Sequence, residues 1–72
     1  MFIVIEIQKN GTTVNTIVDT YTELNEAKSK YHTILSYAAV SEVEKHAASI
    51  LDDTGRCIFH EFYIHSSQGQ GE

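Results

Sequence analysis

The chain has 72 residues, ten acidic side chains against five basic ones, a formal net charge of −5 and a single cysteine, Cys57. Its length allows one domain with a marginal core, since a chain this short buries only about 60% of the surface its unfolded form exposes. The charge excludes the basic stripe that nucleic-acid binding requires, and a lone cysteine excludes an internal disulfide.

That lone thiol suits a reducing compartment, and the expectation is a buried residue behaving as a small hydrophobe. No stretch reads as a membrane span or a signal peptide. The apolar start, residues 1–5, is interrupted by Glu6 and has neither a basic region before it nor a small-residue cleavage site. Cytoplasmic residence is the expectation.

Residues 2–20 read as a β-hairpin folded about Asn10-Gly11. Ile3, Ile5 and Ile7 alternate with Val4, Glu6 and Gln8, and Asn-Gly supplies the two φ > 0 residues of a tight type I′ turn. In that register Lys9 faces Thr12, Ile7 faces Val14, Ile5 faces Thr16 and Ile3 faces Val18. The isoleucines then share one face with Val14 and Val18, while Phe2, Val4 and Ile17 lie on the other with Glu6, Gln8, Thr13, Asn15 and Asp19.

Residues 22–39 read as a helix. Leu24, Ala27, Tyr31, Ile34, Leu35 and Ala38 recur at spacings of three and four and form one stripe. Thr20 or Thr22 is the expected cap. Glu23 and Glu26 occupy the first turn, where the helix dipole favours anions, and Glu26 and Lys30 are spaced as an i,i+4 pair.

Residues 43–52 admit two readings. Ser41-Glu42-Val43-Glu44 resembles a capping box, and Val43, Ala47, Ile50 and Leu51 have helical spacing. The stretch also runs into Asp52-Asp53-Thr54-Gly55, a good turn, after which residues 56–65 are rich in aromatic and β-branched side chains. A hairpin needs a partner strand, so 44–52 is read as strand. Residues 66–72 contain only Ser, Gln, Gly and Glu and are expected to be a disordered tail.

The expected architecture is therefore a single α+β domain over residues 1–65, in the order ββαββ. Two hairpins form a four-stranded, mainly antiparallel sheet with one helix packed on one face. If the helix returns the chain parallel to the second strand, the order 2-1-3-4 makes every neighbour antiparallel.

With a loop of Asp53, Thr54 and Gly55, Ile50 pairs with Ile58. One face of the second hairpin then holds Ala48, Ile50, Ile58, Phe62 and Ile64 with His46 and His60. The other holds Val43, Ala47, Leu51, Cys57, Phe59 and Tyr63. A sheet covered on one side should alternate cleanly between apolar and polar. This one does not, and a single helix cannot cover both faces. Homodimerisation through the uncovered face is the expectation, with another protein as the alternative occupant. The aliphatic set is assigned to the helix. Phe2, Val4, Ile17, Cys57, Phe59 and Tyr63 are assigned to the interface, because amphipathic residues tolerate a partly wet surface.

Little else in the chain carries chemistry. His32, His46, His60 and His65 include no HxxxH, HExxH or CxxC spacing, so hydrogen-bonded or solvated histidines are expected rather than a metal site. Placing His46 and His60 on one hairpin face leaves a metal- or pH-responsive module as the alternative reading. Asp52 and Asp53 fit turn hydrogen bonding, and neither a phosphate loop nor a nucleophile elbow is present. No cofactor and no enzyme activity are expected.

The stretches Tyr31-His32-Thr33-Ile34-Leu35, Ala38-Ala39-Val40-Ser41-Glu42-Val43 and His46-Ala47-Ala48, together with Phe2-Ile3-Val4-Ile5-Glu6-Ile7-Gln8, resemble short uncharacterised proteins of Gram-positive bacteria and their phages. The resemblance implies a mobile-element origin. It carries no motif tied to a mechanism and implies no catalytic residue. The sequence thus reads as a small, acidic, non-enzymatic binding protein that pairs with itself.

Overall fold

The computed structural model describes residues 1–65, so the tail expected at 66–72 lies outside the described residues. Its elements follow the order read from the sequence: β1 (Phe2–Asn10), β2 (Thr13–Tyr21), α1 (Leu24–Ala38), β3 (Lys45–Asp52) and β4 (Cys57–Ile64). They form one four-stranded antiparallel sheet in the order β2-β1-β3-β4, with the helix on one face. The ambiguous stretch is a strand, as its role of hairpin partner to β4 requires.

The first turn sits one residue further along than Asn10-Gly11. Asn10 pairs with Thr13, so Gly11 and Thr12 form the loop, and Gly11 takes the positive φ (59°) at its first position. Ile5 therefore faces Val18, and Ile7 faces Thr16. The shift preserves the parity of the pairing, so every residue keeps its expected face. Asn10 is drawn out of the loop by a tertiary bond, its side-chain Oδ1 accepting from the Glu44 amide at 2.9 Å. The Gly11 amide in turn donates to Glu44 Oε1 at 2.9 Å.

The helix begins without a threonine cap. Glu23 occupies the cap position with extended backbone and no side-chain hydrogen bond. Lys30 lies 3.8 Å from Asp19 on β2, so its ion pair ties the helix to the sheet. At the other end, His65 Nε2 donates to the Ala38 carbonyl at 2.7 Å and satisfies one of the helix's last acceptors.

The core is small and depends on small residues. Ala27, Tyr31 and Ile34 on the helix pack onto Val4, Ala48 and Ile50, with Phe2, Tyr21 and Leu35 at the margin. Ala27 and Ala48 are fully buried, and their short side chains bring the helix axis close to β1 and β3. Val4 pairs directly with Ile50 across the ladder, which gives the core its centre.

The second hairpin contains the feature that decides which residues face outward. Its turn is built on Asp52, whose Oδ1 accepts from the Thr54 amide, the Thr54 hydroxyl and the Arg56 amide, with Gly55 at φ 91°. Leu51 pairs with Cys57 but Ile50 pairs with Phe59, so β4 carries one extra residue, Ile58, in a β-bulge. The expected Ile50–Ile58 pairing is displaced by one, and every residue beyond the bulge changes face. Phe59, Glu61 and Tyr63 lie on the helix side, with His60, Phe62 and Ile64 on the opposite side.

Candidate functional site

The face away from the helix is the candidate site. It is built by the odd positions of β1 and β3 and the even positions of β2 and β4. Ile3, Ile5 and Ile7 run down its middle beside Ala47 and Leu51. Val14 and Val18 flank them on β2, with Phe62 and Ile64 on β4. The outer members are open: Val18 is 55% exposed, Phe62 42% and Ile64 63%. Ala47, buried at 5%, floors a shallow groove of about 250 Å³ walled by Ile7, Val14, His60 and Phe62, with Lys9 and Lys45 at its rim.

Five of the six expected interface residues, all but Cys57, have the parity of the helix side. Val4 is buried at 1% beneath the helix, and Phe2 packs against the same core. Phe59 lies under the helix, its ring 6.1 Å from that of Tyr31 and capped by the Lys28 ammonium at 5.1 Å. Tyr63 is on the helix side and stacks on His65. Ile17 also has the parity of the helix side but remains exposed on the edge strand β2. Cys57 precedes the bulge and pairs with Leu51 of the outer face, as expected, but it is exposed, not buried, because it opens the edge strand β4.

The reason for the exchange is the register. Ala48 and Ile50 do lie under the helix as expected, but their cross-strand neighbours are Glu6 and Val4 on β1 and Glu61 and Phe59 on β4. Burying Ile50 thus brings in the Val4 side of β1 and turns the isoleucines outward.

Electrostatics set this outer face apart. Its strand positions include no Asp or Glu, although the chain has ten. Its charges are Lys9 and Lys45, which are direct cross-strand partners. Like charges directly opposite one another on a sheet are destabilising. Lys45 relieves part of this by lying over the Phe62 ring at 5.2 Å. His60 is also on this face, its Nδ1 2.9 Å from the hydroxyl of its cross-strand partner Ser49.

A polar cluster lies on the helix side, and sequence reasoning missed it. His46, 4% exposed, donates from Nε2 to Glu6 Oε2 at 2.6 Å, and its Nδ1 lies 3.2 Å from Ser41 Oγ. Gln8 donates to the same Glu6 oxygen at 2.9 Å. Burial pushes the Glu6 carboxyl upward, but the bonds from His46 and Gln8 outweigh it and hold the carboxyl below its ordinary value. Hydroxyl, imidazole and carboxylate stand in the order of a nucleophilic triad. Here the three groups join the α1–β3 loop to β1, and the imidazole is enclosed. The available signal was Glu6 itself, a carboxylate in the middle of an apolar strand.

His46 and His60 are on opposite faces of the sheet and form no pair. Among the described residues no group of three His, Cys, Asp or Glu side chains could hold a metal ion. No helix is long and apolar enough to cross a membrane among those residues. No family model matches the chain, and no curated protein or solved structure matches it either.

Proposed function

We propose that this protein acts by binding rather than by catalysis, and that a second copy of the chain covers the outer face of its sheet. The observation that carries this reading is the apolar strip of Ile3, Ile5, Ile7, Val18 and Phe62 on a face whose strand positions hold no carboxylate. Strips of this kind on small proteins mark interaction surfaces.

The dimensions support a second copy as the occupant. Four strands of eight or nine residues make a face roughly 19 Å wide and 27 Å long. That is about 500 Å² in projection, and side-chain relief raises it toward the ~800 Å² per partner of a standard interface. A flat sheet face also packs naturally on its own copy, giving a sandwich with a shared second core. A chain this short gains the stability its own core supplies only marginally. The exposed thiol of Cys57 fits residence in a reducing compartment.

Light scattering across a hundredfold dilution tests the reading. The expected result is a mass of twice the chain, lost in Val18→Glu, which places a carboxylate on the strip at an exposed position. A monomer at every concentration overturns it.

A further inference from the structure

The lysine pair gives the dimer a direction. Two copies sharing one face are related by a two-fold axis lying in the plane between them. In an aligned sandwich the strands of the two sheets stay within about 30° of each other, so the axis runs either along the strands or across them. An axis along the strands lays the Lys9–Lys45 pair of one copy on the same pair of the other, with no carboxylate at the strand positions of either face. An axis across the strands reverses one copy end for end. It sets β1 over β1 and carries the lysine end of each sheet onto the far end of its partner.

That far end is suited to receive it. Phe2 pairs with Asp52 at one end of the β1–β3 ladder, and Lys9 pairs with Lys45 at the other. Ile3 and Leu51 are the outer-face residues there, and they are cross-strand partners. Beyond them comes the Asp52 turn. Asp52 spends its carboxylate on that turn, but Asp53 does not: its side chain is 66% exposed, with the Met1 ammonium 3.6 Å away.

Resting on the self-association proposed above, we infer that the two copies pack with their strands reversed end for end, Lys9 and Lys45 of each lying against the turn that carries the partner's Asp53. The groove between the lysines, floored by Ala47, takes up the partner's Ile3 and Leu51. The two ends of the interface are identical by symmetry, so each ion pair occurs twice, and the cross-strand repulsion of Lys9 and Lys45 is relieved by a carboxylate their own sheet lacks.

The test uses the full chain and two variants, Asp53→Lys and the double variant Lys9→Glu/Lys45→Glu. All three positions are exposed, and circular dichroism of diluted samples checks that each variant folds. Each variant alone should raise the dimer Kd about tenfold at low ionic strength, because attraction becomes repulsion at both ends. Mixing the two variants should restore wild-type affinity. Asp53→Asn, which keeps the side chain's shape, should weaken the dimer less and in the same direction.

Tighter pairing of the double variant with wild type than of wild type with itself would assign the axis along the strands and overturn the inference, because reversed packing sets the variant's glutamates against wild-type Asp53. Kd values unmoved by either variant, in a wild type that dimerises, would overturn it too and leave self-association standing. A monomeric wild type would remove both.

Discussion

His46 and Glu6 meet on a diagonal of the β1–β3 ladder. Glu6 is paired with Ala48 and His46 with Gln8, yet His46 Nε2 stands 2.6 Å from Glu6 Oε2. The small side chain of Ala48 leaves the space through which the imidazole reaches. The result is a buried hydrogen bond between imidazole and carboxyl at the edge of a core that is otherwise apolar.

The acid response of the fold should follow from this contact. Glu6 has a carboxyl held below its ordinary value of 4.5 by the bonds from His46 and Gln8, with help from Lys30, against the opposing effect of burial. A carboxyl lowered in the folded state contributes stability that is fully present above its unfolded value and is lost as pH falls through the folded one. Urea midpoints between pH 7 and pH 3 should therefore fall below about pH 4.5 in wild type. Glu6→Gln should fall less steeply over that range. Glu6→Ala should lose about 2 kcal/mol at pH 7, because His46 stays buried with its donor unpaired.

Ile50 is the fully buried centre of the core. Ile50→Ala should destabilise by about 3 kcal/mol, read by urea unfolding. In a core this small that is a large part of the whole, and the variant is expected to be close to unfolded at 37 °C.

Gly55 offers a test of backbone against packing. An added Cβ would meet nothing within 4 Å, but its φ of 91° lies in the region L-residues avoid. Gly55→Ala should lose about 1–2 kcal/mol from conformation alone, measured by thermal melting at the lowest protein concentration that gives a signal.

Thermal stability should depend on protein concentration. If a second copy binds the folded chain only, Tm rises with each tenfold increase in concentration, and Val18→Glu abolishes the dependence. Zinc should leave Tm where it is, since His46 is engaged with Glu6 and Ser41 and His60 faces the other way. A rise with zinc would restore the histidine reading.

Much of the architecture was legible because local and global signals agreed. The helix stripe of Ala27, Tyr31, Ile34 and Ala38 is the buried stripe. The alternation of β1 sorted its residues correctly into two faces, and the order β2-β1-β3-β4 is the one that a helix returning the chain parallel to β2 makes fully antiparallel, one of several orders the sequence left open. What could not be read was which face the helix takes. Isoleucine is the better core residue by size, and only the tertiary pairing of Val4 with Ile50 places the isoleucines outside. The bulge at Ile58 was equally hidden, since apolar residues occur at both parities of β4. The Asn10-Gly11 signal marked the hairpin but not its loop, because Asn10 found a partner in Glu44, distant in sequence.

The bulge has a consequence for how the gene can change. Ile58 is the residue by which β4 exceeds its partner, so losing that one codon would leave Phe59 opposite Ile50 and every later side chain where it is. The same loss further along the strand would exchange its inner and outer surfaces, sending Phe62 or Ile64 toward the helix and charged Glu61 or Tyr63 away from it. Shortening is thus tolerated at one end of β4 and remodels the outer face at the other, which makes this strand the place where descendants of the chain would acquire a different surface in a single step.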